Sequence, residues 1–165
     1  MGKIEAIQEP VVVATEAWFN GIMDATRAAH GENGQHPLSL DKIAAIVWRG
    51  LTRQQSLIGA IGTPELVKGM IVLEVDESYY SEDRQLLERI AYVRPEYRRT
   101  TFARDLLRFA KRCSDETGIP LLMGIISDIR LEAKRRLYER ELGLAGYWFK
   151  HDPKPSESVQ AVNSG

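Results

Sequence analysis

The chain has one cysteine and three histidines in 165 residues. A lone cysteine excludes a disulfide framework and any paired-cysteine zinc site, and it fits a reducing compartment. His30, His36 and His151 share no ligand-like spacing with one another or with acids, so no metal is expected. No apolar run approaches the roughly 20 residues that cross a bilayer. The opening MGKIEAIQEP places acids where a signal sequence carries its apolar stretch. Gly2 is followed by Ala6, where a myristoylation signal has Ser or Thr. The expectation is a cytoplasmic protein without a membrane partner.

Net charge is scarce as well, only −1 overall, but it is unevenly spread. Residues 1–83 hold 6 Lys and Arg against 12 Asp and Glu, and residues 84–150 hold 15 against 9. The pI of 6.3 and the lack of aromatic-basic interleaving argue against a nucleic-acid partner. A basic half beside an acidic half suits an anionic ligand on one side and a cationic one on the other, or ordinary solvated charge. What is present is 44% apolar and 27% charged residues, enough for one buried core. Residues 1–151 are expected to form a single domain. The Pro- and Ser-bearing stretch 152–165 reads as a flexible tail.

Periodicity gives a coarse order of elements. KIEAIQE (3–9) alternates weakly and is expected to be a short strand. From Val11 to His30 apolar residues recur at helical spacing through Phe19, Ile22, Met23 and Thr26. GENGQHP (31–37) is a loop by its glycines and proline, and Ser39 is placed to cap a helix bearing Ile43, Ile46, Val47 and Leu51. Strands are predicted at 55–62, 69–75 and 86–93, the last stopped by Pro95. Phe102, Leu106, Phe109, Ala110 and Cys113 mark the buried side of a helix closed by Gly118, with Cys113 as core. IPLLMGIIS (119–127) reads as a central strand covered on both faces. A helix over 130–142 and a strand over 144–151 complete the order β-αα-βββ-α-β-α-β. The fold class is α/β, a mixed central sheet flanked by helices.

The informative segment runs from Tyr92 to Arg104, YVRPEYRRTTFAR. A strand stops, a short turn follows and a helix begins, so free backbone N–H groups and the positive end of a helix dipole converge. Arg98, Arg99 and Arg104 add full charges. Such a site suits a phosphate.

Here the chain resembles the GNAT family of acetyl-CoA-dependent N-acetyltransferases, and more narrowly small phage-type members. The family has a strand ending Val-x-Pro-Glu-Tyr-Arg, then Arg/Gln-x-x-Gly-x-Gly/Ala at the helix that cradles the coenzyme A pyrophosphate. Val93, Pro95, Glu96, Tyr97, Arg98 and Ala103 match. Leu137-Tyr138-Glu139-Arg140-Glu141-Leu142-Gly143 is similar to the family's second block. The resemblance covers residues 69–150, and the helical N-terminal part by element order alone. It implies a cofactor-binding set of Tyr92 and Val93, acting through backbone groups, with Arg98, Arg99, Thr100, Thr101, Phe102, Ala103 and Arg104. Lys134 joins that set because Arg130, Lys134 and Tyr138 share one helical stripe. Tyr138 is implied as the acid that protonates the departing thiolate, and Glu88 as the base that accepts the amine proton.

Thr101 stands where the family has its first signature glycine, and Arg99 where a small residue is common. If that backbone must enter the left-handed region, a β-branched residue costs roughly 1–2 kcal/mol. Thr101 is expected to compensate with its hydroxyl or as a helix cap. Ser127 and Asp128 are either ligand-facing or turn and cap residues. Trp18, Trp48 and Trp148 read as core or sheet cover, with the first two as alternatives for lining an acceptor pocket. Two readings remain open. One is an N-acetyltransferase acting on an amine-bearing small molecule or a protein lysine or N-terminus, possible as a homodimer. The other is a degenerate GNAT fold that binds coenzyme A or a protein partner.

Overall fold

The computed structural model describes residues 8–34, 36–125, 130–146 and 151. Strands β1 (Val12–Val13), β2 (Ser56–Gly62), β3 (Val67–Glu77), β4 (Arg84–Val93) and β5 (Leu121–Leu122) form one sheet in chain order. β1 to β4 are antiparallel neighbours, and β5 joins β4 in parallel. Helices α1 (Phe19–Asn33) and α2 (Leu40–Leu51) cover one face, and α3 (Phe102–Thr117) covers the other. Helix α4 (Leu131–Glu141) is tied to α3 by ion pairs from Arg108 and Lys111 to Glu141. The mixed α/β sheet expected from sequence is the observed architecture.

Alternation along β3 builds both cores. Met70 and Val72 point to α1 and α2 with Ile58, Ala60 and Tyr92, while Ile71 and Leu73 point to α3 with Phe102, Leu106 and Phe109. Helix α3 lies close to the sheet because Gly59 leaves room. A Cβ there would sit 2.6 Å from the Phe109 ring. Gly118 ends α3 at φ 68°, the left-handed stop expected of it. Cys113 packs against the α3-side core as expected. The Ser39 side chain accepts the Lys42 N–H at 3.5 Å and caps α2.

Four boundaries differ from the sequence reading. Residues 12–13 are an edge strand paired with Gly59 and Ala60, because a Val-Val-Val run prefers the pleated sheet, and α1 starts only at Phe19. Helix α1 then runs through Gly31 to Asn33, into the expected loop, because Glu32 is anchored by tertiary partners. Among the described residues the predicted central strand 119–127 contributes Leu121–Leu122, at the outside of the described strands, with Leu122 37% exposed. Its apolar residues instead line a cleft through Met123 and Ile125. Residues 144–146 are irregular, and Leu144 is 67% exposed, so the last predicted strand does not begin there. The rest of that strand bar His151, with Trp148, most of the first predicted strand, Ser127, Asp128 and the tail 152–165, lies outside the described residues.

Substituting Gly59→Ala pushes a methyl into Phe109 and is expected to destabilise the fold by about 1–3 kcal/mol. Urea unfolding should show a lower midpoint with an unchanged slope.

Candidate active site

Strand β4 changes phase halfway along. Leu73 pairs with Glu88 and Val72 with Ile90, so Arg89 is an extra residue, a β-bulge. Before it, Leu86 faces α3; after it, Ile90 and Tyr92 face α1 and α2, while Ala91 and Val93 face α3. Glu88 and Arg89 point to opposite sides of the sheet. Arg89 reaches back to Glu74 at 2.6 Å and Asp76 at 3.2 Å. Glu88 meets Tyr138 of α4, whose hydroxyl donates to its Oε2 at 3.4 Å.

At the same place β4 loses its outer neighbour. Among the described residues only Leu86 and Leu87 pair with β5. From Glu88 onward the two diverge, and a cleft of about 610 Å³ opens between β4, the start of α3 and one face of α4. Ala29, Glu32 and Asn33 of α1 close its far side.

The start of α3 supplies donors. The first turn of any helix leaves its N–H groups without intrahelical partners. Here the Phe102 N–H is satisfied by Thr100 Oγ1 at 3.2 Å, and the first bond to Thr101 C=O comes from Asp105 N–H at 2.9 Å. The N–H groups of Thr101, Ala103 and Arg104 have no acceptor among the described residues, and all three residues line the cleft. Thr101 itself has φ −81° and ψ 0°. That is ordinary backbone for a β-branched residue, so the strain anticipated for losing a glycine does not arise. Its hydroxyl makes no cap; it donates to Asp105 Oδ2 at 2.5 Å, and Thr100 does the capping.

Of the residues implied by the sequence, Glu88, Tyr92, Val93, Arg98, Thr100, Thr101, Ala103, Arg104, Lys134 and Tyr138 all line this cleft. Arg99 and Phe102 do not. Arg99 is exposed away from it, and Phe102 is fully buried, stacked on Tyr97 with centroids 5.9 Å apart. Trp18 lies in the core, and Trp48 sits edge-on to Phe19 on the outer side of α2, so neither lines the cleft. Val93 offers its carbonyl to Arg98 Nε at 3.0 Å.

Glu32 is the residue that sequence reasoning missed. It accepts from the Tyr92 hydroxyl at 2.8 Å and is ion-paired with Arg98. The signal was its position: Ile22, Ala25, Ala29 and Glu32 continue one helical stripe into the stretch 31–37 that reads as a loop.

These contacts set the ionisation of the site. Burial pushes the Glu88 carboxyl up to about 7, against the Tyr138 hydrogen bond, the Lys134 charge and the Gly124 N–H, which favour the anion. Burial, then the charge and hydrogen bond of Glu88, hold the Tyr138 phenol well above its ordinary range. Burial opposes charge on Glu32 too, but Arg98, Tyr92 and Lys134 outweigh it and keep this carboxyl below its usual range. Tyr92 is pushed up to about 12 by burial and by Glu32. The arrangement joins a carboxylate that changes charge near neutrality to a phenol that keeps its proton.

No protein-family model and no curated protein sequence matches the chain. Solved structures do match in fold. One is AAC(6')-Iy in complex with the bisubstrate analogue CoA-S-monomethyl-acetylneamine, at TM-score 0.69 and 9% identity, covering 90% of this chain and 99% of that one. A ribosomal-protein-alanine N-acetyltransferase from Brucella melitensis biovar Abortus matches at TM-score 0.64 and 13% identity over 90% and 100% of the chains. An aminoglycoside acetyltransferase from an uncultured soil metagenomic sample matches at 0.65 and 13% over 89% and 95%. At these identities the likeness carries the fold, which is of the GNAT type that the sequence resembles. The narrower phage-type likeness draws no support from them.

The Glu88 carboxyl carbon should titrate near pH 7 by NMR. Lys134→Met removes a charge that favours the anion and should move the midpoint higher.

Proposed function

We propose that the protein is an acetyl-CoA-dependent N-acetyltransferase that moves an acetyl group directly to a primary amine. One observation carries this reading. The opening between β4 and β5 connects the unpaired N–H groups of α3 to the Glu88–Tyr138 pair in one continuous cleft. The chemistry at its two ends differs in kind. One end holds anions, and the other exchanges protons.

The residues present fit the cosubstrate. Backbone N–H groups of Thr101, Ala103 and Arg104, with the Arg104 side chain, offer phosphate oxygens both donors and positive charge. Among the described residues Arg104 is bound internally only by a 4.0 Å contact to Asp105. The unpaired edge of β4 around Tyr92 offers backbone groups to an extended amide-bearing arm. When bound, acetyl-CoA supplies the thioester carbonyl that an amine attacks.

Proton traffic falls to two side chains. Glu88, as carboxylate, accepts the proton that the amine sheds on attack. Tyr138 gives its phenolic proton to the departing thiolate and recovers one from Glu88 through the hydrogen bond they share. Atoms balance with no covalent intermediate on the protein. The acceptor is an amine on a small molecule or on a protein, and Glu32 gives the α1 side of the cleft a fixed negative charge. The alternative, a coenzyme A-binding module without turnover, differs in one respect only: acetyl-CoA binds, and no amine releases thiol.

Acetyl-CoA at one hundred times its dissociation constant should stabilise the fold by about 2.7 kcal/mol, roughly 5 °C for a domain of this size. ATP and desulfo-CoA serve as controls. The absence of a shift specific to the coenzyme would sink both readings. In an amine-dependent thiol-release assay, Tyr138→Phe should lower kcat about a hundredfold at saturating acceptor. The rise of kcat/KM with pH through about 7 should vanish in Glu88→Gln.

The same group makes a stability prediction. Its folded pKa is raised above the ordinary 4.5, so it favours the folded state below that value and loses this contribution as pH rises through about 7. Melting curves should show that wild type loses more stability than Glu88→Gln as the buffer goes from acid to mildly alkaline.

A further inference from the structure

Of the four described lysines, Lys134 alone lines the cleft. Lys68 is ion-paired with Glu9 and Lys111 with Glu141, and Lys42 is exposed on α2. Lys134 is half-buried, and its ammonium makes no hydrogen bond or ion pair with any described residue. It sits one turn before Tyr138 on the same face of α4, so the two side chains enter the cleft side by side. Glu88 and Glu32 act on its charge from the sheet and from α1, Arg98 from the turn before α3, and Arg130 from its own helix. Burial and the two guanidiniums lower its ammonium pKa against the pull of the two carboxylates. An amine in that setting is a nucleophile for which the proposed reaction has no other use.

We infer that Lys134 is itself an acceptor, taking an acetyl group from acetyl-CoA held in the same cleft. The inference rests on the acetyl-CoA reading above. The neutral Nζ attacks the thioester carbonyl carbon; the N–C bond forms and the C–S bond breaks. Glu88 accepts the Nζ proton, Tyr138 gives its own to the sulfur and Glu88 restores it. The products are acetyl-Lys134 and free thiol. The modification deletes a positive charge beside Glu88, which then titrates at higher pH. The cleft also loses the cation that lies between its two carboxylates. Self-acetylation thereby retunes the base that the amine reaction depends on.

The test incubates the full chain with acetyl-CoA and no added amine, and follows acetylation by intact mass and peptide mapping beside a thermal shift. The expected result is one acetyl group per chain on Lys134, appearing at least about tenfold faster than on Lys42. It should be absent in Lys134→Arg and slowed about tenfold or more in both Glu88→Gln and Tyr138→Phe. Modified protein should show its kcat/KM limb displaced to higher pH. A coenzyme-specific thermal shift with Lys134 unmodified overturns the inference and leaves the cofactor reading intact. Neither shift nor label overturns both. Equal labelling of Lys42 and Lys134, indifferent to the Glu88 and Tyr138 substitutions, marks plain chemical acetylation and overturns it as well.

Discussion

Strand β4 holds its parallel neighbour at Leu86 and Leu87 and then parts from it, and the rest of the site follows from that parting. A sheet edge opened inside a folded molecule exposes backbone donors and acceptors that demand partners. The bulge at Arg89 lies at the same level and turns the strand's phase, so Glu88 faces α4 while Ile90 and Tyr92 seal the opposite core. One local irregularity therefore separates the cleft-facing and core-facing positions along ten residues. Without the extra residue, Ile90 and Tyr92 would point to the α3 face, and the α1–α2 core would lose both.

Electrostatics in the cleft is a matter of which charges are already answered. Glu32 is answered twice, by Tyr92 and Arg98, and stays ionised despite burial. Glu88 is answered weakly, by a 3.4 Å contact from a neutral phenol and by Lys134 at longer range. Two carboxylates lining one cavity thus end on opposite sides of their ordinary pKa. The proposed chemistry calls for such a separation, with one carboxylate fixed in charge and the other free to exchange a proton.

Much of this was legible in the sequence. The block from Tyr92 to Arg104 announced a strand, a turn and a helix start, and these three elements are in place. Sequence spacing located α2, α3 and α4 to within a residue or two, helped in α2 by the Ser39 cap and in α3 by the Gly118 stop. Spacing misled where tertiary contacts outweigh local preference. Gly31 reads as the start of a loop, yet the helix passes through it because Glu32 has two partners waiting on β4 and the following turn. IPLLMGIIS reads as a buried central strand, but its middle residues are apolar because they line a cleft. Thr101 reads as a damaged glycine site, and only the backbone angles reveal that no left-handed residue is needed there. Phe102 carries the same lesson in reverse: membership in a motif does not place a side chain at the ligand.

The Arg98–Glu32 bridge gives the uneven charge of the chain a second meaning. Arg98 belongs to the basic half and Glu32 to the acidic half, and Arg94 with Asp24, and Arg89 with Glu74, repeat the pattern. The N-terminal half acts as counter-ion to the C-terminal half. Positive potential in the cleft is consequently what survives this internal neutralisation, concentrated on Arg104, Arg130, Lys134 and Arg140. The charge that the cleft presents is thus shaped by the acids of another part of the chain.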